Sequence, residues 1–161
     1  MLNRIASRAH LDFSPQHRQP LPVRVVLAGM ASIVGSLLAD AILVVLGERV
    51  FPSTKGYGHF QFSDYGKLTV IGVVIATVAW PIVTRVTSKP RWLFFRLAIA
   101  VTLCLWLPDL YILHQGQPDK AVGVLMLMHL AIALVTYNLL VHVAPIRNPV
   151  ESGKPGPGEG Q

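Results

Sequence analysis

The chain has 161 residues, 52% hydrophobic and only 14% charged, against the roughly 25% charged residues usual in soluble domains. The net charge of +6 sits in Lys and Arg that flank long apolar blocks, the pattern of topogenic charge at a membrane and not of a nucleic-acid-binding surface. A single cysteine, Cys104, excludes an intrachain disulfide, a Cys-x-x-Cys redox pair and a thiolate zinc site.

The N-terminal segment, residues 1–23, is rich in Arg, His and Pro and has no apolar core, so it is not a secretory signal. Residues 2–13 place Leu2, Ile5 and Ala9 opposite Arg4 and Arg8, as a short interfacial helix would. The transmembrane domain follows over 24–144. A spanning helix needs about 20 mostly apolar residues at ~1.5 Å rise each. Four segments meet this, at about 25–46, 68–86, 93–113 and 121–143. They predict an all-α membrane protein, an antiparallel bundle of four transmembrane helices. The first span serves as an uncleaved signal anchor. Residues 145–161 are rich in Pro and Gly and read as a disordered cytoplasmic tail.

Ten of the fourteen Lys and Arg lie in the N-terminal segment with the adjoining Arg24, around the 87–91 turn and in the tail. The positive-inside rule therefore places both termini in the cytoplasm. The connection over residues 47–67 is the longest between spans and carries Phe51, Tyr57, Phe60, Phe62 and Tyr65. Two readings fit it: an aromatic belt at the lipid interface, or a lid over an outward-facing pocket.

Three ionisable residues fall within the spans. Asp40 lies about 12 Å below the outer end of the first, Asp109 about 7–8 Å down the third, and His129 about 15 Å down the fourth. All three lie in the outer half of the bilayer. An ionised Asp at a helix centre costs about 2.5–3.5 kcal/mol on insertion scales. A group so costly marks a partner or a function. On the first span Gly29, Ser32, Ser36 and Asp40 form one stripe of small or polar residues. On the second, Gly72 and Ala76 share a face with Trp80. On the third, Thr102, Trp106 and Asp109 do, and on the fourth, His129, Ala133, Thr136 and Tyr137. Pro108 precedes Asp109 and removes the hydrogen bond to the Cys104 carbonyl.

These residues define the expected site. Asp40, Asp109 and His129 are the catalytic candidates. Ser36, Trp106 and Tyr137 join them as ligand-binding candidates. Gly29, Ser32, Ser36, Gly72 and Ala76 are the helix-packing set. No single helix carries a close His-x-x-x-His or Glu-x-x-His pair, so no metal and no cofactor is expected.

The polar residue in "SLLADAILVVLG", the short hairpin between the second and third spans, the late proline of the third and the "LMLMHLAIAL" fourth span carry a resemblance. Over about residues 24–143 the chain resembles a family of small four-span membrane proteins of unknown function, found mostly in actinobacteria. The resemblance implies the fold and a multi-pass place in a bacterial plasma membrane. It implies no activity.

Three functions compete on the sequence. The first is an accessory subunit or apolar-ligand-binding protein, partnered by lipid and by a larger membrane complex or further copies of itself, with an outward-side polar site. The second is a membrane-embedded acid/base enzyme for a lipidic or isoprenoid-like substrate. There Asp40 and Asp109 serve as acid and base, His129 assists and Trp106 is a stacking wall. The third is a proton-coupled transporter built as an oligomer.

Overall fold

The computed structural model describes residues 17–147, so the interfacial helix expected at 2–13 and most of the tail lie outside the described residues. Four helices follow one another: α1 (Pro22–Val50), α2 (Phe62–Val86), α3 (Pro90–His114) and α4 (Asp119–Val143). All four are long and apolar enough to cross a membrane. They form an antiparallel bundle, with residues 51–61 at one end, the loop end, and both ends of the described chain at the other, the terminal end.

The helices outrun the apolar blocks that announced them. α1 continues through Gly47, Glu48 and Arg49, and α2 begins six residues before Leu68. Asp64 in the first turn of α2 and Arg49 in the last turn of α1 lie where the helix dipole favours their charges. The connection between these helices is consequently only residues 51–61, folded as two 3-10 turns at Pro52–Thr54 and Gly58–Phe60. Pro81 and Pro108 lie inside continuous helices. Pro22 and Pro90 open theirs, where a missing N–H costs nothing.

Large apolar side chains point outward along every helix, with Leu68 of α2 71% exposed and Leu38 of α1 60% exposed. In lipid such residues lose nothing, because hydrocarbon tails are as apolar as leucine. Helix association rests instead on close packing and interior hydrogen bonds. The most extensive contact joins the first helix to the last, α1 to α4; α4 also packs on α3, and α1 on α2. α2 and α3, although joined by a tight turn, adjoin only sparsely.

Glycines set the closest approaches. A Cβ on Gly29 would stand 2.7 Å from Thr77 Cγ2, on Gly35 3.1 Å from Val135 Cγ1, and on Gly47 2.8 Å from Val124 Cγ2. Gly29 thus seats α2, whereas Gly35 and Gly47 seat α4. Gly72, expected to pack, is exposed, and nothing lies within 4 Å of a Cβ built on it. The buried face of α2 is Gly66, Thr69, Val73, Trp80 and Val83, with Ala76 half-buried between them. Those positions alternate spacings of three and four and so hold one direction. The spacing of four from Gly72 to Ala76 and Trp80 drifts about 40° at each step and leaves Gly72 off the interface.

Two apolar clusters bracket the interior. Toward the terminal end, Ala28, Trp80, Val83, Phe94, Leu140, Val141 and Ala144 pack together. Toward the loop end, Phe60 is buried against Ala121, Val124 and Met128, with Tyr57 and Tyr65 beside it. The terminal end is further tied by polar bonds. Trp80 Nε1 donates to the Ala144 carbonyl (2.9 Å), and His17 Nε2 donates to the Thr84 carbonyl (2.7 Å). Thr84 Oγ1 donates to Gln19 Oε1 (2.6 Å). Arg18 and Arg147 form an antiparallel backbone bridge.

Candidate functional site

Between the two clusters the interior turns polar. Asp40 on α1 is wholly buried. Its Oδ2 accepts a 2.7 Å hydrogen bond from Thr69 Oγ1 on α2, while Oδ1 is buried with no hydrogen-bond partner. An acceptor so placed costs about 1–3 kcal/mol, more when charged. Helix geometry aims it there: Ser32, Ser36 and Asp40 recur every four residues along the buried stripe of α1.

Asp109 on α3 is 6% exposed. Its Oδ2 lies 3.1 Å from His129 Nδ1 on α4. That same ring nitrogen lies 3.0 Å from the Leu125 carbonyl, one turn back on α4. The carbonyl can only accept, so Nδ1 carries a hydrogen and points it there. Asp109 Oδ2 lies off the N–H direction, so its 3.1 Å contact with that nitrogen is mainly electrostatic and not a well-aligned hydrogen bond. With Nδ1 protonated, the neutral imidazole presents Nε2 as a lone pair. His129 is also within electrostatic reach of Asp40. α3 and α4 therefore bring the Asp109 carboxyl to the His129 imidazole, with the Asp40 carboxyl of α1 in the same electrostatic field.

This constellation follows from how side chains leave a helix. α3 and α4 run antiparallel, and each Cβ tilts toward the N-terminus of its own helix. Asp109 leans toward the terminal end and His129 toward the loop end, so residues at different heights meet.

Further polar atoms line the same interior. Ser36 Oγ and Thr136 Oγ1 are buried without hydrogen-bond partners. They flank the Gly35–Val135 contact that joins α1 to α4, Ser36 about 6 Å from Asp40 along α1 and Thr136 about 10 Å from His129 along α4, both toward the terminal end. At the loop end the Tyr57 hydroxyl is likewise buried and unpartnered. Burial, and after it the Asp109 carboxyl, push the Tyr57 phenol above its usual value of 10.0. Tyr65 is within electrostatic reach of Asp40. The aromatic loop therefore divides. Phe60 and Tyr57 fold inward over the polar interior, Tyr57 edge-on to Phe60 at 5.3 Å between ring centroids. Phe62 remains outside, 64% exposed.

The other expected residues fall as follows. Trp106 is half-buried, and its Nε1 donates to the Met126 carbonyl on α4 (3.1 Å), one turn from His129. Ser32 donates to its own helix at Ala28 (2.7 Å) and lines the packing face without a free hydroxyl. Tyr137 does not join the site. It stacks on Phe94 at 6.0 Å between ring centroids, and its hydroxyl reaches the Arg91 carbonyl (3.4 Å) at the terminal end. Eight residues beyond His129, it is about 12 Å deeper along α4. Thr69 is the participant that sequence reasoning passed over, and Tyr57 stood there only as one of five loop aromatics. Thr69 was findable, since Gly66, Thr69, Val73, Ala76 and Trp80 repeat in threes and fours. Nothing in the order of the loop residues marks Tyr57 above its aromatic neighbours.

Chemically, the arrangement offers acceptors in excess of donors. Carboxylate oxygens from α1 and α3 face a neutral interior served by one ring nitrogen and a few hydroxyls. Among the described residues no three of His, Cys, Asp and Glu come together closely enough to hold a metal ion. Comparison with known proteins adds no relative: no family model, no curated protein and no solved structure matches this chain.

Proposed function

We propose that this is a small multi-pass protein of a bacterial plasma membrane that binds an amphiphilic ligand through a polar site in the outward half of the bundle. The observation that carries this reading is Asp40: wholly buried, held on one oxygen by Thr69, bare on the other. The charge bias of the connections supports placing the terminal end in the cytoplasm, so that the site faces outward. The outward side chains at the depth of the site, among them Leu38, Ile71 and Leu107, support an apolar surround.

Mass spectrometry of protein extracted in mild detergent tests the reading. One amphiphile per chain is expected to travel with the native protein. Asp40→Asn keeps an acceptor for Thr69 and is expected to keep the fold, whereas Asp40→Leu is expected to lose the ligand entirely. Retention of the same ligand by Asp40→Leu would remove Asp40 from the binding site.

A second reading, an acid/base enzyme on a lipidic or isoprenoid-like substrate, is favoured by one geometric fact. His129 stands 3.1 Å from Asp109 with its other nitrogen available as a base. Substrate turnover that survives both Asp109→Asn and His129→Gln would eliminate it.

A further inference from the structure

Resting on the ligand-binding reading above, we infer that the ligand is a cationic amphiphile, with a protonated amine seated between Asp40 and Asp109 and an apolar tail leaving the bundle between α2 and α3.

The head group follows from the balance of donors and acceptors. Asp40 Oδ1 on α1 and Asp109 Oδ2 on α3 are buried acceptors; the first has no partner and the second only its off-line contact with His129 Nδ1. The unpartnered Ser36, Thr136 and Tyr57 hydroxyls can each donate as well as accept, but none carries charge. Against the two carboxyls stands a single imidazole, whose Nδ1 hydrogen is already committed to Leu125. Two acids and one base leave the interior short of positive charge, which no hydroxyl supplies. An alkylammonium supplies that charge, with three donors on one small cation. A hydroxyl head supplies one donor and no charge. A carboxylate or phosphate head would add like charge to two acids and is rejected. A hydrogen bond with both partners charged, away from water, is the strong kind.

The tail follows from the surroundings. The clusters around Phe60 and Trp80 close the interior along the bundle axis in both directions. α2 and α3 adjoin sparsely, and their one ring contact is Trp80 on Phe94, at the terminal end. Nearer the loop end a quarter of the His129 side chain is accessible even though Asp109 leans against it. The polar interior is thus approached sideways, at a depth where the outward faces of both helices are isoleucine, leucine and valine. A ligand arriving by that route needs an apolar body.

Isothermal titration of the purified protein in neutral detergent, at pH 7, compares three probes of equal chain length: dodecylamine, dodecanol and dodecanoate. Dodecylamine is expected to bind saturably at one site per chain, and neither other probe to do so. Asp40→Asn is expected to weaken dodecylamine by about tenfold or more, the loss of one buried charge-assisted bond. Asp109→Asn is expected to act likewise, and it carries the comparison should Asp40→Asn fail to fold by circular dichroism. Dodecanol binding as tightly as dodecylamine would overturn the cationic head while leaving the ligand-binding reading intact. Dodecylamine binding unchanged in both variants would overturn it too. Binding of none of the probes, with an amphiphile still carried through purification, would overturn the amine and spare the site. With no amphiphile carried through either, both readings fall.

Discussion

Asp40 is tolerated because its neighbours share its cost. Thr69 donates to one oxygen at 2.7 Å, and helices α1, α2 and α4 exclude lipid from the rest. Thr69→Val keeps the shape of the side chain and removes the donor. It should lower stability by about 1–3 kcal/mol, the cost of leaving a buried acceptor bare, read as a lower thermal midpoint in detergent. Tyr57 gives a pH-dependent counterpart. Its phenol titrates higher in the folded protein than the usual 10.0. Stability that rests on the neutral phenol is full below pH 10 and is lost as pH rises through the folded value. Tyr57→Phe, which cannot ionise, should therefore lose less stability than the native protein between pH 9 and about 11. A parallel decline of both proteins over that range would detach Tyr57 from the buried interior. At this scale the sequence showed the costly groups and hid their partners. Asp40, Asp109 and His129 stand out because ionisable residues are rare in apolar helices. Thr69 does not, because threonine in a membrane helix is common and can satisfy itself on its own backbone, as Thr77 and Thr102 do here.

For the helices, number and order were legible from hydropathy alone, since lipid permits little else than helix across its core. Their ends were not. Gly47, Glu48 and Arg49 read as loop, yet α1 runs to Val50. Backbone hydrogen bonds continue a helix past the point where side chains cease to be apolar. The contact faces were legible on α1, where Ser32, Ser36 and Asp40 depart from the surrounding leucine and valine. They were misread on α2, where Gly72 is small but faces outward. Single alanine substitutions separate these cases. Gly47→Ala drives a methyl to 2.8 Å from Val124 Cγ2, and valine in a helix has one strongly preferred rotamer with which to yield. A loss of about 1–3 kcal/mol is expected from such overpacking. Gly72→Ala meets no atom and should be neutral or stabilising by up to about 1 kcal/mol through helix propensity. Equal thermal midpoints for the two variants would contradict the packing described at Gly47.

Across the whole molecule, the bundle is closed by the two ends of the described chain. Trp80 Nε1 meets the Ala144 carbonyl, and Arg18 pairs with Arg147. Trp80→Phe keeps an aromatic against Phe94 and deletes that donor, so a loss of about 1–2 kcal/mol is expected, with the largest gain in hydrogen exchange near residues 80–84 and 144. The extensive contact of α1 with α4 also imposes a schedule on synthesis. Once the first two helices have left the ribosome, Asp40 can meet Thr69, since both are already made. His129 does not yet exist. Until His129 is added, 43 residues after Val86, the nascent protein holds a carboxyl in the membrane with a single hydroxyl for company. Thr69 is thereby the escort of an unfinished chain as well as a member of the finished site. Loss of its donor should be felt earliest during biogenesis, as an insertion intermediate cleared by quality control before α4 arrives.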